Sequence, residues 1–202
     1  MSKFLWLIDA GHGGIDSEGN YTTAPKKMFK HEDFTAYEGV TNRAIAREVG
    51  DLLSDECIDY NFIHEPVKDI SLSERVLKAD RIYANDKRAI FLSIHSNAGG
   101  GRGIEVFTSK GQTKSDKIAQ VFFDVFEQED KWKMRKDLTD GDDDKEANFY
   151  VLRKTDCPAV LLELLFFDNK QEAIYLNSEE GQRELARLIV KSIKNIENFI
   201  TI

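Results

Sequence analysis

Four residues of this chain combine types that do hydrolytic chemistry with positions where strands should end or helices begin. His12 follows the apolar run Phe4 to Ile8 in Asp9-Ala-Gly-His12-Gly-Gly14, and His95 follows the run Ala89 to Ile94 in Ser93-Ile-His95-Ser-Asn97. Glu163 ends the apolar stretch Pro158-Ala-Val-Leu-Leu-Glu163, and Glu38 opens a helical pattern after a long polar segment. Two imidazoles and a carboxylate make a common hydrolytic Zn²⁺ shell, leaving a fourth position for water whose pKa falls to about 7. A second carboxylate nearby could then take that water's proton. Taken singly, each residue has a simpler role: a strand-end His is often only hydrogen-bonded, and a helix-opening Glu often only complements the helix dipole. The combination carries the argument, because loops at the carboxyl ends of strands in an open α/β sheet converge on one crevice.

The elements that must position these residues alternate in type. Val40, Ala44, Ile45, Val49, Leu52 and Leu53 recur at helical spacing after Glu38, and Ile58 to Ile63 alternates like a short strand. Ser71 and Glu74 open a second helix striped by Leu72, Val76, Leu77, Ala79 and Ile82. The run Ala89 to Ile94 is almost continuously apolar, which suits a central strand covered on both faces. A strand over Ile104 to Thr108, a helix through Ile118 to Phe126, strand-like runs at Phe149 to Leu152 and Ala159 to Leu164, and helices at Glu172 to Leu176 and Glu179 to Phe199 complete the pattern. No internal repeat or linker divides it. The pattern predicts one α/β sandwich domain over residues 1 to 202.

Composition narrows the function further. The 202 residues are 41% hydrophobic with a formal charge of -8, enough for one core and unfavourable for nonspecific binding to nucleic acid or anionic membranes. No stretch approaches the roughly 20 apolar residues that span a bilayer, so no membrane insertion is expected. Cys57 and Cys157 lie far apart without a C-x-x-C pairing and read as buried reduced thiols. His31-Glu32 and His64-Glu65 lack the second His of H-E-x-x-H, and both pairs are expected at the surface. Neither glycine cluster matches a phosphate-binding pattern. The segment from Asp137 to Glu146 holds six acids and one Lys, so it reads as a solvated, mobile loop; its order does not match an EF-hand. Residues 11 to 37 are too long for an ordinary connection and suggest a functional loop.

Across nearly its whole length the sequence resembles the zinc-dependent N-acetylmuramoyl-L-alanine amidases of the amidase-3 type. Asp9 to Gly14 is similar to the family's D-x-G-H-G-G, Glu38 with Asn42 to E-x-x-x-N, and Ser93 to Ala98 to S-I-H-x-N-A. Leu72 to Arg75, Ala84-Asn85, Gly103 to Val106, Val151 to Arg153 and Pro158 to Glu163 resemble L-x-x-R, A-N, G-x-E-V, V-L-R and P-A-V-L-x-E. One position departs: the family continues its catalytic Glu as E-x-G-F-x-x-N, and here Leu165 stands at the Gly while Phe166 and Asn169 fit. A Cβ there could shift the backbone or narrow the groove.

The resemblance implies a three-layer α/β sandwich with a central, mostly parallel sheet, Zn²⁺ held by His12, Glu38 and His95, and Glu163 as the catalytic acid and base. It implies hydrolysis of the amide joining N-acetylmuramic acid to the L-alanine of the stem peptide in bacterial peptidoglycan. A zinc amidohydrolase or carboxypeptidase cutting a peptide bond is the nearest alternative, and a noncatalytic peptidoglycan-binding module is a weaker one. No secretion signal opens the chain. It is therefore expected to be made in the cytoplasm and to act on the wall after release, as an endolysin does, or to have lost a leader.

Overall fold

The computed structural model describes residues 2–23, 27–139 and 141–201. Strands β1 (Leu5–Ala10), β4 (Tyr60–Phe62), β5 (Ala89–Asn97), β6 (Ile104–Thr108), β7 (Lys145–Glu146) and β8 (Ala159–Phe166) form one sheet in the order β4-β1-β5-β8-β6-β7. All neighbours are parallel except β6 with β8. Strands β2 (Met28–Lys30) and β3 (Thr35–Tyr37) make a separate antiparallel hairpin within the long insert before helix α1 (Glu38–Asp55).

The remaining helices are α2 (Leu72–Asn85), α3 (Lys114–Gln128), α4 (Tyr150–Lys154), α5 (Lys170–Leu176) and α6 (Glu179–Phe199). Alternation along the strands splits the core in two. Trp6, Ile8, Ile90, Leu92, Val160 and Leu162 face α1, α3 and α6, while Leu7, Phe91, Ala159 and Leu161 join Val76, Ala79, Val151 and Leu152 of α2 and α4. A sheet buried on both faces accounts for the nearly unbroken apolar runs of β5 and β8, and the expected three-layer sandwich is observed. No described helix is long and apolar enough to cross a membrane.

Several local expectations change. Residues from Phe149 to Leu152 do not form a strand: Phe149 caps the short helix α4, whose Val151 and Leu152 are buried beneath α2. Strands β5 and β8 run past the expected ends, to Asn97 and Phe166, so His95 lies within its strand, while Glu163 lies within β8 as expected. The acid segment is only partly solvated. Its last residues form β7 beside β6, and Asp144 is buried, accepting a 2.7 Å hydrogen bond from Thr108 Oγ1; Asp140 lies outside the described residues. Cys157 is buried as expected, whereas Cys57 is exposed at the end of α1.

Both chain ends gather where the parallel strands begin. Glu197 of α6 accepts hydrogen bonds from Ser2 Oγ at 3.1 Å, Lys3 N at 2.6 Å and Trp6 Nε1 at 3.0 Å. The candidate site forms at the opposite end of the sheet.

Candidate metal centre and active site

The first imidazole is placed by a strained turn. His12 follows β1 after Gly11, with φ at 67°, a left-handed conformation uncommon for a residue with a Cβ. Its carbonyl oxygen accepts from Arg43 Nη2 at 2.6 Å and Arg75 Nη2 at 3.1 Å, and these two guanidinium groups hold the turn in place. Arg75 is itself buried and anchored by Asp9, Asp69 and the Ala10 carbonyl, while Ser93 Oγ donates to the other Asp9 oxygen at 2.9 Å. This explains physically why an acid precedes the glycine-rich turn: Asp9 neutralises the arginine that holds it.

The other two candidate ligands converge on that imidazole. Gly11 has no side chain because a Cβ there would lie 2.1 Å from the His95 ring, and a Cβ at Gly39 would lie 2.0 Å from the Gly13 carbonyl. Helix α1 can therefore bring Glu38 directly against the turn. Asn42, one helical turn on, donates to the Gly11 carbonyl at 3.3 Å and accepts from Ser96 Oγ at 3.0 Å, tying α1 to β1 and β5. Glu38 Oε1 then stands 3.1 Å from His12 Nε2 and 3.0 Å from His95 Nδ1.

These groups pass a test for a divalent ion. The donor atoms of His12, Glu38 and His95 all lie within 4.8 Å of one another, the one such group of three or more among the described residues. Tetrahedral zinc with bonds of about 2.0–2.2 Å separates its donors by about 3.3–3.6 Å, and the two Glu38–imidazole separations, 3.1 and 3.0 Å, come within a few tenths of an ångström of that. His12 Nε2 is buried and, despite its short distance to Glu38, lacks hydrogen-bond alignment. A donor aimed into a shared gap in this way suits a cation better than a hydrogen-bonded pair.

Charge follows the same geometry. Burial alone would raise the Glu38 pKa, but close contact with both imidazoles holds it well below the usual carboxylate range. Burial lowers the His12 pKa; at His95 burial pulls downward too, yet Glu38 and Glu163 outweigh it and leave the imidazole raised.

Glu163 stands beside this cluster and outside it. It is the register partner of His95 across the β5–β8 ladder and of Glu105 across the β6–β8 ladder. Burial pushes its pKa up to about 7, against the opposing charge of His95, and its Oε2 has no hydrogen-bond partner. Arg153 does not pair with it, since that guanidinium is exposed and lies over the Tyr150 ring. Glu105 is neutralised separately, accepting from Arg135 Nε at 2.7 Å and Lys145 Nζ at 2.6 Å. Beyond Glu163 the ladder slips, His95 pairing with Glu163 but Asn97 with Phe166, and Leu165 occupies this bulge at φ 64°. The conformation explains the glycine of the family pattern.

Two histidines expected at the surface are not there. His31 is buried between Phe29 and Phe34, with Nε2 2.9 Å from the Phe167 carbonyl, and so pins the β2–β3 hairpin to the end of β8. His64 is partly buried and accepts from Ala10 N at 3.1 Å, and burial lowers its pKa to about 4. Neither belongs to the candidate centre. Lys27 was not singled out by the sequence, yet its Nζ lies 3.3 Å from Glu38 Oε2. Nothing in its local sequence marks it, because its position depends on the fold of the whole insert.

A mixed α/β sheet here gathers two imidazoles, a carboxylate suited to metal ligation and a separate perturbed carboxyl at one end, an arrangement whose groups suit hydrolytic chemistry. The profile of the N-acetylmuramoyl-L-alanine amidase family, Amidase_3, matches residues 7–195, and the chain belongs to that family. It is 31% identical over 202 residues to the endolysin of Bacillus phage SPP1, covering 98% of this chain and 67% of that protein. It is 27% identical to the probable cell wall amidase LytH of Staphylococcus epidermidis, over 93% of this chain but 56% of that protein, so it spans little more than half of that relative. Among solved structures, the N-acetylmuramoyl-L-alanine amidase from Clostridium difficile 630 superposes with a TM-score of 0.81 at 26% identity, with all of both chains covered. The catalytic domain of CwlV from Bacillus (Paenibacillus) polymyxa gives 0.70 at 27% identity, covering 95% of this chain and 97% of that one.

Proposed function

We propose that the protein is a zinc-dependent N-acetylmuramoyl-L-alanine amidase that cuts the amide between N-acetylmuramic acid and L-alanine in bacterial peptidoglycan. Family membership supports the reaction class, and one observation carries the residue assignment. Glu163, with a raised pKa and an unpartnered oxygen, lies next to His95 but outside the His12, Glu38 and His95 cluster. That is the separation expected of a base from its metal ligands.

His12, Glu38 and His95 would hold the ion, whose contribution when bound is Lewis acidity toward the amide carbonyl and toward water. Arg43, Arg75 and Asn42 keep the ligand turn and α1 in register. Glu163 accepts the proton of the attacking water as its oxygen bonds to the carbonyl carbon. The same carboxyl then delivers that proton to the amide nitrogen as the C–N bond breaks. Burial and a nearby cation act on the Glu163 carboxyl in opposite senses, the first raising its pKa and the second lowering it, and that balance suits a group that takes up a proton and gives it back. The domain is proposed to act on the wall after leaving the cytoplasm.

Mass spectrometry of digested muropeptides, with and without a chelator, tests this reading. Stem peptides with free N-terminal L-alanine, lost on chelation and restored by Zn²⁺, are expected. Cleavage elsewhere in the peptide would replace the amidase with a peptidase.

A further inference from the structure

The insert between β1 and α1 delivers one cation to the mouth of the centre. Lys27 Nζ lies 3.3 Å from Glu38 Oε2, the carboxylate oxygen not shared with the imidazoles. Its charge lowers the His12 pKa and opposes the upward shift of Glu163, so the ammonium that pairs with Glu38 also stands within electrostatic range of both. The placement is built from the backbone. Tyr21 OH donates to the Lys27 carbonyl at 3.0 Å and accepts from Gly39 N at 3.0 Å in the first turn of α1. The Tyr21 ring packs against Tyr37 with centroids 4.9 Å apart.

The ammonium is held near Glu38 without being used up by it. Glu38 Oε2 has no aligned hydrogen bond although Lys27 is at ion-pair distance, and the Lys27 side chain is 42% exposed. The other cations close by are committed: Arg43 and Arg75 are turned to backbone carbonyls, and Arg75 also to Asp9 and Asp69. A cation with unspent donors, partly exposed beside the ligand carboxylate, is placed to meet a substrate oxygen.

We infer that Lys27 is a further catalytic residue, whose ammonium donates to the carbonyl oxygen of the scissile amide and stabilises the negative charge developing there. This rests on the amidase reading. As the water oxygen bonds to the carbonyl carbon, its proton passes to Glu163 and the π pair of the carbonyl moves onto oxygen. Lys27 hydrogen-bonds that oxygen and keeps its own proton. Collapse restores the carbonyl, breaks the C–N bond and returns the proton from Glu163 to nitrogen. Fixed donors aimed at such charge are commonly worth on the order of 10²–10³ in rate.

The test uses the full chain with Lys27→Met and Lys27→Arg. It reads zinc content, kcat and KM on a muropeptide, and calorimetric affinity for a phosphinate analogue bearing P–O⁻ in place of the scissile carbonyl. Affinity for the uncleaved muropeptide is read separately, with each Lys27 change placed on Glu163→Gln. The expected result for Lys27→Met is a kcat lower by on the order of 10²-fold, full zinc, and a comparable loss of phosphinate affinity. Muropeptide affinity should change by no more than about twofold, and Lys27→Arg should recover part of the loss. Unchanged kcat and phosphinate affinity overturn the inference, as does loss of zinc in Lys27→Met, which would confine the residue to holding Glu38. A wild-type enzyme that neither releases L-alanine termini nor prefers the phosphinate fails as an amidase, whereas failure seen only in the variants concerns Lys27 alone.

Discussion

His95 and Glu163 are direct partners across the β5–β8 ladder, so a candidate ligand and the candidate base are fixed relative to each other by backbone hydrogen bonds. Their separation therefore does not depend on a mobile loop. Glu163→Gln should keep the fold and zinc while turnover falls by on the order of 10²–10⁴-fold. Zinc content, melting temperature and kcat on the same preparation check this, and near-normal turnover would remove Glu163 from the reaction.

Removing a ligand should separate metal binding from folding. His12→Ala and His95→Ala are each expected to lose zinc, because two protein ligands hold the ion poorly against water. Glu38→Gln should also weaken zinc binding, whereas a carboxylate that only complemented the α1 dipole would leave it bound and change stability by about 1 kcal/mol or less. Full zinc occupancy in the histidine variants would refute the assignment.

Arg75 should matter for stability out of proportion to its distance from the ligand atoms. Replacing it with Met leaves Asp9 buried without its cation, a change that typically costs about 3–5 kcal/mol. For a chain of this size that lowers the melting temperature by roughly 6–20 °C. A shift of only a degree or two in a thermal scan would show that Asp9 finds another partner.

Leu165 poses a balance between packing and backbone strain. Its side chain is fully buried, and its φ of 64° is one that glycine tolerates better. Truncation to Ala should cost about 2–5 kcal/mol by leaving a cavity. Leu165→Gly removes more side chain but releases the left-handed strain of about 1–2 kcal/mol. The Gly variant is therefore expected to match or exceed the Ala variant in denaturant midpoint, the reverse of their order at an ordinary strand position.

Two buried groups should give stability opposite slopes with pH. His64 titrates near 6.5 when unfolded and at about 4 in the folded chain, so the stability tied to its neutral form is complete above 6.5 and lost as pH falls toward 4. Asp144 is raised from 3.8 to about 7, chiefly by burial, so its carboxyl costs no stability below about 4 and increasingly destabilises the fold as pH rises to 7. Asp144→Asn should therefore raise the melting temperature at pH 8 and change it little at pH 4. An equal shift at both values would mean that the carboxyl stays ionised throughout.

The sequence singled out His12, Glu38, His95 and Glu163 because each sits beside an apolar run or opens a periodic one, and the structure brings all four to one end of the sheet. Its errors have definable causes. Phe149 to Leu152 is too short to show whether its apolar residues repeat with a helical or a strand period. Lys145 and Glu146 look like solvated acid-loop residues, and only their pairing with Phe107 and Thr108 makes them a strand. His64 and Lys27 carry no local signal at all, since one is defined by the Ala10 amide and the other by Glu38, partners that folding alone brings near.

The meeting of both chain ends on Glu197, across the sheet from Lys27 and Glu163, bears on how the domain can be engineered. A further module or reporter fused at either terminus would attach at the end of the sheet away from the candidate centre. For the same reason a short peptide could join the two termini while the chain is reopened at Gly111, where an added side chain would meet nothing within 4 Å. Such a circular permutant would preserve every covalent connection between β1 and the ligand helix α1.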